Sequence, residues 1–272
     1  MALSVYRKAL LVLGDFRGLW RVCGISVALR WLAGVVGHAR AVLRSGNLQV
    51  VDRSLGPGPF FITHPACPAR FTVVGDGGVS GIREMYARDC YLGGRQGLIR
   101  DGDVVVDLGA NMGNFTNLAL AHGNSVRVVA LEPSQLMNNR FVRSVGANSG
   151  FKDRAKLIRG FLGEATGKQV RLLEEDAEYK EAPWLSEEEF LAEVGLDRID
   201  FLKCDIEGGE FSVLGPTSRF LALATTVAVE VHSFAGPVES LVARLKENGY
   251  ALLARDNHSD GSCVVLASKG RA

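Results

Sequence analysis

No stretch of this sequence stays apolar long enough to cross a bilayer. A spanning helix needs about 20 mostly apolar residues, and an arginine interrupts every candidate window in the N-terminal part. The same arginines fall inside what would be the core of a signal peptide, and no clean small-residue cleavage site follows, so secretion is not expected. Paired cysteines are also missing. Cys23, Cys67, Cys90, Cys204 and Cys263 are odd in number and contain no C-x-x-C pair, which excludes a disulfide scaffold and fits a reduced, cytoplasmic setting. His64 and Cys67 have the spacing of half a zinc site. No second ligand pair follows, and a loop carrying Pro65 and Pro68 accounts for them. Excess charge is lacking too: 31 basic residues against 30 acidic ones leave a net +1, so nucleic-acid binding is not expected as a global property.

What is present divides the chain into three parts: residues 1–46, 47–98 and 99–272. The first carries Arg7, Lys8, Arg17, Arg21, Arg30, Arg40 and Arg44 against the single acid Asp15, interleaved with apolar side chains such as Leu10, Leu13, Leu19, Val22, Leu29 and Leu32. That pattern predicts one or two basic amphipathic helices. They are either a cap packed on the main domain or a surface that docks on an anionic membrane or a partner, which would make the protein peripheral to the membrane. The second part opens with LQVV, PFFIT and RFTVV, short β-branched or aromatic runs between Gly and Pro that predict a small β-rich segment. GIREMYARDCYL, residues 81–92, then spaces Ile82, Met85, Tyr86 and Cys90 as a helix does.

From Asp101 onward strands and helices alternate. VVVDL (104–108), VRVVAL (126–131), AKLIRG (155–160), IDFLKCD (199–205) and TTVAVEV (225–231) read as strands; residues 115–121, 134–147, 186–194 and 210–223 read as helices. Near-continuous apolar strands between helices predict an α/β fold with a parallel sheet covered on both faces. PVESLVARLKENGY is a further amphipathic helix, and YALLAR and SCVVLAS, joined by the turn-rich DNHSDG, predict a terminal antiparallel hairpin.

Such sheets bind ligands beyond the carboxyl ends of their strands. Four strand ends here carry polar groups: Asp107 with the turn Gly109-Ala110-Asn111-Met112-Gly113, then Glu132, then Asp205 with Glu207, then Glu230 with His232. Glu132 stands near the spacing at which an acid on a second strand accepts hydrogen bonds from ribose, which predicts an adenosine-containing cofactor. The glycine pattern is G-x-N-x-G, whereas a dinucleotide turn is G-x-G-x-x-G, its middle glycine admitting a pyrophosphate. Asn111 would crowd a pyrophosphate and offer hydrogen bonds to a smaller zwitterion. The turn therefore favours S-adenosylmethionine over NAD.

VVVDLGANMGNFT, ALEPS, IDFLKCDIEGGEFSVL and VAVEVH, in that order, resemble the FkbM family of S-adenosylmethionine-dependent methyltransferases. The resemblance spans roughly residues 80 to 268 and leaves the basic N-terminal segment unexplained. It implies a Rossmann-like methyltransferase sheet of seven strands with an antiparallel last strand, and O-methylation of a small molecule or glycan, often a sugar or polyketide hydroxyl. Position by position it implies that Asp107, Gly109, Asn111 and Gly113 surround the amino-acid end of the cofactor, Glu132 the ribose, and Phe161 with the turn after it the adenine. In RGFLGEATG the acid that many methyltransferases carry immediately after the third strand is absent.

Methyl transfer to an alcohol needs a positioned base. His232, with a reference pKa near 6.5, is the candidate, and Asp205 is either the alternative base or the group that orients it. Asp205, Glu207, Glu230 and His232 together could hold Mg²⁺. Glu210 reads as an acid in the first turn of a helix. The acidic run at 174–189, carrying Tyr179 and Trp184, is either a lid over a polyhydroxylated or cationic acceptor or a solvated insertion. Tyr86 and Glu84 belong either to a cofactor lid or, for Tyr86, to the core. An O-methyltransferase is the expected function; the alternatives are an NAD-dependent oxidoreductase and a non-catalytic methyltransferase-like binding protein.

Overall fold

The apolar runs between residues 104 and 268 assemble into one sheet in a computed structural model that describes residues 5–45, 47–75, 77–258 and 261–270. Its strands are β3 (Val104–Leu108), β4 (Arg127–Leu131), β5 (Ala155–Ile158), β8 (Ile199–Cys204), β9 (Ala224–Val231), β10 (Ala251–Asn257) and β11 (Cys263–Ser268), in the order β10-β11-β9-β8-β3-β4-β5. Every pair is parallel except those of β11, which runs antiparallel to both β9 and β10. The seven-stranded sheet with a terminal hairpin is therefore present. Ser259 and Asp260 of the hairpin turn lie outside the described residues, as do residues 1–4 and Gly46 of the basic segment.

Alternation along the strands feeds two cores. Val105, Phe201 and Ala228 belong to one, and Val106, Leu202 and Val227 to the other. All five residues of β3 are buried, which is the reason its sequence reads as continuous valine rather than as an alternating strand. Helices α6 (Asn114–Leu120), α7 (Gln135–Gly146), α9 (Glu187–Val194), α11 (Arg219–Leu223) and α12 (Val238–Glu247) connect or flank the strands. The capping box expected at Ser186 and Glu189 is formed.

The N-terminal part folds as α1 (Val5–Cys23), α2 (Ile25–Gly37), α3 (Ala39–Ser45) and α4 (Gln49–Ser54), followed by the small ribbon of β1 (Phe60–Ile62) and β2 (Phe71–Val73). Leu19, Val22, Ala28 and Trp31 are buried in the same core as one face of the sheet. LQVV is thus not a strand. Its Val51 and the following residue, Asp52, are needed on the inner face of a helix, where Asp52 accepts hydrogen bonds from Trp31 Nε1 at 2.9 Å and from Arg83 Nε and Nη2 at 3.1 and 2.8 Å. Arg83 also reaches Asp15 at 2.9 Å, and Arg88 reaches the same carboxylate at 2.7 Å. Among the described residues no helix is long and apolar enough to cross a membrane.

Two helix boundaries differ from the periodicity. The helix expected over 81–92 is α5 (Gly78–Gly81) continued by a π-helical turn over Ile82–Ala87, and it stops at Arg88. Asp89 has φ 55° and its carboxylate accepts the Gly94 N–H at 2.7 Å, a turn conformation incompatible with another helical residue. The helix expected over 210–223 is split into α10 (Glu210–Val213) and α11 around Gly215 and Pro216, where proline offers no N–H. Tyr86 is wholly buried and donates to the Asn114 carbonyl at 2.7 Å; it packs in the core and covers no cleft.

Candidate active site

At the carboxyl ends of β3, β4 and β8 the chain forms a cleft of about 160 Å³. Its floor is the turn after β3. Gly109, at φ 76°, comes so close to β8 that a Cβ there would stand 1.7 Å from the Asp205 carbonyl oxygen, so only glycine fits. Asn111 takes φ 52°, a left-handed conformation that asparagine tolerates, and its N–H donates to Glu132 Oε2 at 2.9 Å. Its own Oδ1 accepts the Met112 N–H at 2.7 Å, which commits that oxygen to the turn rather than to a ligand.

Glu132 accepts a second amide, Ser134 N–H, on Oε1 at 2.9 Å. Burial raises its pKa to about 7 despite these two amides. Opposite, Phe161 on β6 (Phe161–Leu162) stacks at 4.5 Å and 14° on Trp184 of the short partner strand β7 (Trp184–Leu185), with the Tyr179 ring 6.0 Å away. Gly109, Asn111, Glu132, Phe161 and Asp205 all line the cleft, and so does Tyr179. The acidic run is therefore not simply a solvated insertion: Tyr179 walls the cleft, Trp184 backs Phe161, and the Glu178 carbonyl accepts the Gln135 N–H at 2.9 Å. Helix α8 (Gly167–Glu175) adds Gln169, whose Nε2 donates to the Ile206 carbonyl at 2.8 Å.

Two of the residues expected at the cofactor lie behind the turn instead. Asp107 is wholly buried, accepting from Thr116 Oγ1 at 2.7 Å and standing 3.4 Å from Lys203 Nζ. A Cβ on Gly113 would press on the Phe141 ring at 2.9 Å. Both shape the turn without lining the cleft, because the opening of α6 turns them toward the neighbouring helix and strand.

The catalytic candidates cluster at the ends of β8 and β9. Lys203, buried in mid-sheet, donates to the Leu108 and Gly109 carbonyls at 3.2 and 2.6 Å and lies 3.5 Å from Asp205. Burial opposes its charge, but Asp205 and Asp107 outweigh it and hold the ammonium protonated. The Tyr91 hydroxyl lies 3.1 Å from both Asp205 Oδ2 and Glu230 Oε2. Burial pushes Asp205 above the usual carboxylate range, with Lys203 opposing the shift. Glu230 goes the other way: burial is outweighed by His258 and by the Ser262 hydroxyl, which donates at 2.8 Å.

His232 differs from expectation. Its Nδ1 is 2.9 Å from Glu210 Oε1 and its Nε2 is 3.4 Å from Glu207 Oε2. Burial lowers its pKa, but the Glu210 hydrogen bond and the charges of Glu210, Asp205 and Glu207 outweigh it and raise it to about 9. At neutral pH roughly 1% of such a group is the free base. Glu210 is likewise more than a first-turn acid, since it is wholly buried and its Oε1 also accepts the Ile206 and Gly208 amides.

The same geometry corrects the magnesium set. Asp205, Glu210 and His232 converge within 4.8 Å of one another, while Glu230 is drawn off by Tyr91, Ser262 and His258. That leaves a convergent set of two carboxylates and an imidazole nitrogen, whereas Mg²⁺ prefers oxygens. The donor set therefore does not fit Mg²⁺. S-adenosylmethionine does fit the cleft. Glu132 offers carboxylate lone pairs at the end of β4, Phe161 and Tyr179 offer aromatic faces, and Asp205 with Glu207 gives the Gly109 end a negative field that suits a sulfonium and an ammonium rather than a pyrophosphate.

Residues 107–252 match the family model described as the methyltransferase FkbM domain. The 31-O-demethyl-FK506 methyltransferase FkbM of Streptomyces tacrolimicus is 27% identical over 216 residues, covering 64% of this chain and 82% of that protein. Among solved structures, a putative S-adenosylmethionine-dependent methyltransferase of Streptococcus mutans is similar with a TM-score of 0.47 and 12% identity, over 78% of this chain and 56% of that one. Fibrillarin of Aeropyrum pernix, in complex with S-adenosylmethionine, follows with a TM-score of 0.41 and 12% identity, over 63% of this chain and 69% of that one. With its family model spanning more than half of the sequence, the chain belongs to the FkbM family of S-adenosylmethionine-dependent methyltransferases.

Proposed function

We propose that the enzyme methylates a hydroxyl of a small molecule or glycan, with Asp205 as the proton acceptor. One observation carries this reading: Asp205 lines the cofactor cleft with its side chain 24% exposed, while Tyr91 and Lys203 hold its Oδ2. Its raised pKa suits a base working near neutrality. Support for oxygen as the acceptor atom comes from the Streptomyces relative, whose name gives an O-demethylated compound as its substrate.

Bound S-adenosylmethionine supplies an electrophilic methyl group. Gly109 and Asn111 receive its amino-acid end, Glu132 the ribose hydroxyls and Phe161 the adenine, while Asp107 and Gly113 maintain the turn. The acceptor enters from a second hollow of about 550 Å³ beside the cleft, lined by residues that include Arg171, Gly208 and Phe234. Holding its hydroxyl oriented can supply several kcal/mol of the barrier, and removing its proton to Asp205 adds about 10²- to 10⁴-fold in rate. His232 stays protonated and fixes Glu207, which lines the cofactor cleft, through Nε2. The charged cleft and family membership set aside an NAD-dependent oxidoreductase. The retained Asp205 base, Glu132 and glycine turn favour an active enzyme over a binding protein.

The test is to incubate the protein with S-adenosylmethionine labelled in its methyl carbon and hydroxylated acceptors, among them sugars and macrolide alcohols, and to locate the label by carbon NMR. Methoxy products are expected. Label found only on nitrogen or carbon would overturn the reading.

A further inference from the structure

Residues 1–70 contain two acids, Asp15 and Asp52. Both are buried, and Arg83 and Arg88 neutralise them from within. Seven arginines of the same stretch, among them Arg17, Arg30 and Arg40, are exposed, and no acid is exposed among its described residues. The surface of this segment is therefore more basic than its composition suggests.

It is also apolar where helices normally face water with polar residues. On α1 the buried line runs through Asp15, Leu19 and Val22, and the opposite, exposed line through Leu10, Leu13, Arg17 and Trp20 at steps of three and four residues. Trp20 is 54% exposed. On α2 Ala28 and Trp31 face the core while Ile25, Leu29 and Val36 face outward, Val36 being 71% exposed. Phe61, 67% exposed, lies on β1, which is tied to the end of α1 by the Thr63 N–H donating to the Val22 carbonyl at 2.8 Å. Scattered exposed leucines need no explanation; two adjoining helices with apolar stripes on both faces do.

We propose that this face docks the enzyme on an anionic lipid bilayer, α1 and α2 lying in the interface with Leu13, Trp20, Leu29 and Val36 among the acyl chains and the arginines at the headgroups. Charge complementarity selects this occupant. A second copy of the chain would bring arginines against arginines with no exposed acid to pair them. A nucleic acid would satisfy the arginines but leave the leucines and Trp20 in water. A bilayer of anionic lipids satisfies both, and tryptophan with arginine around a leucine-rich face is the composition of interfacial helices. The proposal is independent of the acceptor.

Flotation of the full chain with vesicles of equal phosphatidylglycerol and phosphatidylcholine, against vesicles of phosphatidylcholine alone, tests it. Binding to the anionic vesicles only is expected, weakening with salt. Arg17→Gln with Arg40→Gln should weaken it roughly 30-fold, and Leu13→Ser with Trp20→Ser on the order of 10-fold or more. These side chains are solvent-exposed, so S-adenosylhomocysteine affinity by calorimetry should match the parent and certify the fold. Equal binding to both vesicles, binding to neither, or insensitivity to both variant pairs overturns the proposal. So does a dimer in solution that the serine variant dissociates, or a nucleic-acid duplex that displaces the vesicles.

Discussion

His232 Nδ1 lies 2.9 Å from Oε1 of Glu210, a carboxylate with no exposed surface. This contact makes the histidine a structural cation. Its pKa is raised to about 9, above the reference 6.5 expected in the unfolded chain. The pair therefore stabilises the fold fully below about pH 6.5, and the contribution is lost as pH rises through about 9. Urea unfolding of the parent and of His232→Gln should differ by about 3 kcal/mol near pH 6 and converge near pH 10. A constant difference across that range would exclude the ion pair.

Lys203 should be the most sensitive charged position in the sheet. Replacing it by methionine leaves Asp107 buried without its counter-charge, and breaking a buried pair in this way costs about 3–5 kcal/mol. The double variant Lys203→Met, Asp107→Asn should recover part of the loss in the same denaturation experiment. No recovery would mean that the carbonyls of Leu108 and Gly109, not Asp107, are what the ammonium serves.

Asp205→Asn should lower kcat by about 10²- to 10⁴-fold with cofactor affinity nearly unchanged. His232→Gln should retain a larger part of kcat, since its side chain is protonated at working pH. A chelator in the same assay should leave the rate unchanged, because the cluster at Asp205 offers two carboxylates and an imidazole nitrogen where Mg²⁺ prefers oxygens. Loss of activity with the chelator, restored by Mg²⁺, would reverse that conclusion.

Cofactor affinity should depend on pH through Glu132. Its pKa is raised to about 7 by burial, so below that value the protonated carboxyl loses acceptor capacity for ribose. Affinity for S-adenosylhomocysteine should then fall as pH drops below about 7, by at most about tenfold per unit. Glu132→Gln should bind more weakly with a flatter profile; an unchanged slope would assign the effect to another group.

The sheet was legible because its strands are apolar runs of the right length between helix patterns, and the cofactor turn because glycine and asparagine at 109–113 report a left-handed backbone directly. What sequence could not show were partners far apart in the chain. LQVV carries the β-branched look of a strand, and only Arg83, thirty-one residues beyond Asp52, explains its helix. Tyr91 precedes the domain boundary placed at residue 99, yet it reaches Asp205 and Glu230. Lys203 did leave a signal, a charge inside an apolar strand two residues before Asp205 and so on the same face. Glu210 left none, since a dipole-complementing acid and a buried one look alike in sequence.

The order β10-β11-β9 imposes a sequence of events on a growing chain. Strand β10 leaves the ribosome before β11, its one partner among the described residues, and β11 lies between it and β9. The turn that β11 brings with it delivers Ser262 and His258 to Glu230. The residues that line the donor cleft, from Gly109 to Glu207, all precede β10 in the chain, whereas the far wall of the catalytic cluster comes with the last strand. The donor cleft is thus complete in the chain before the wall of the catalytic cluster is.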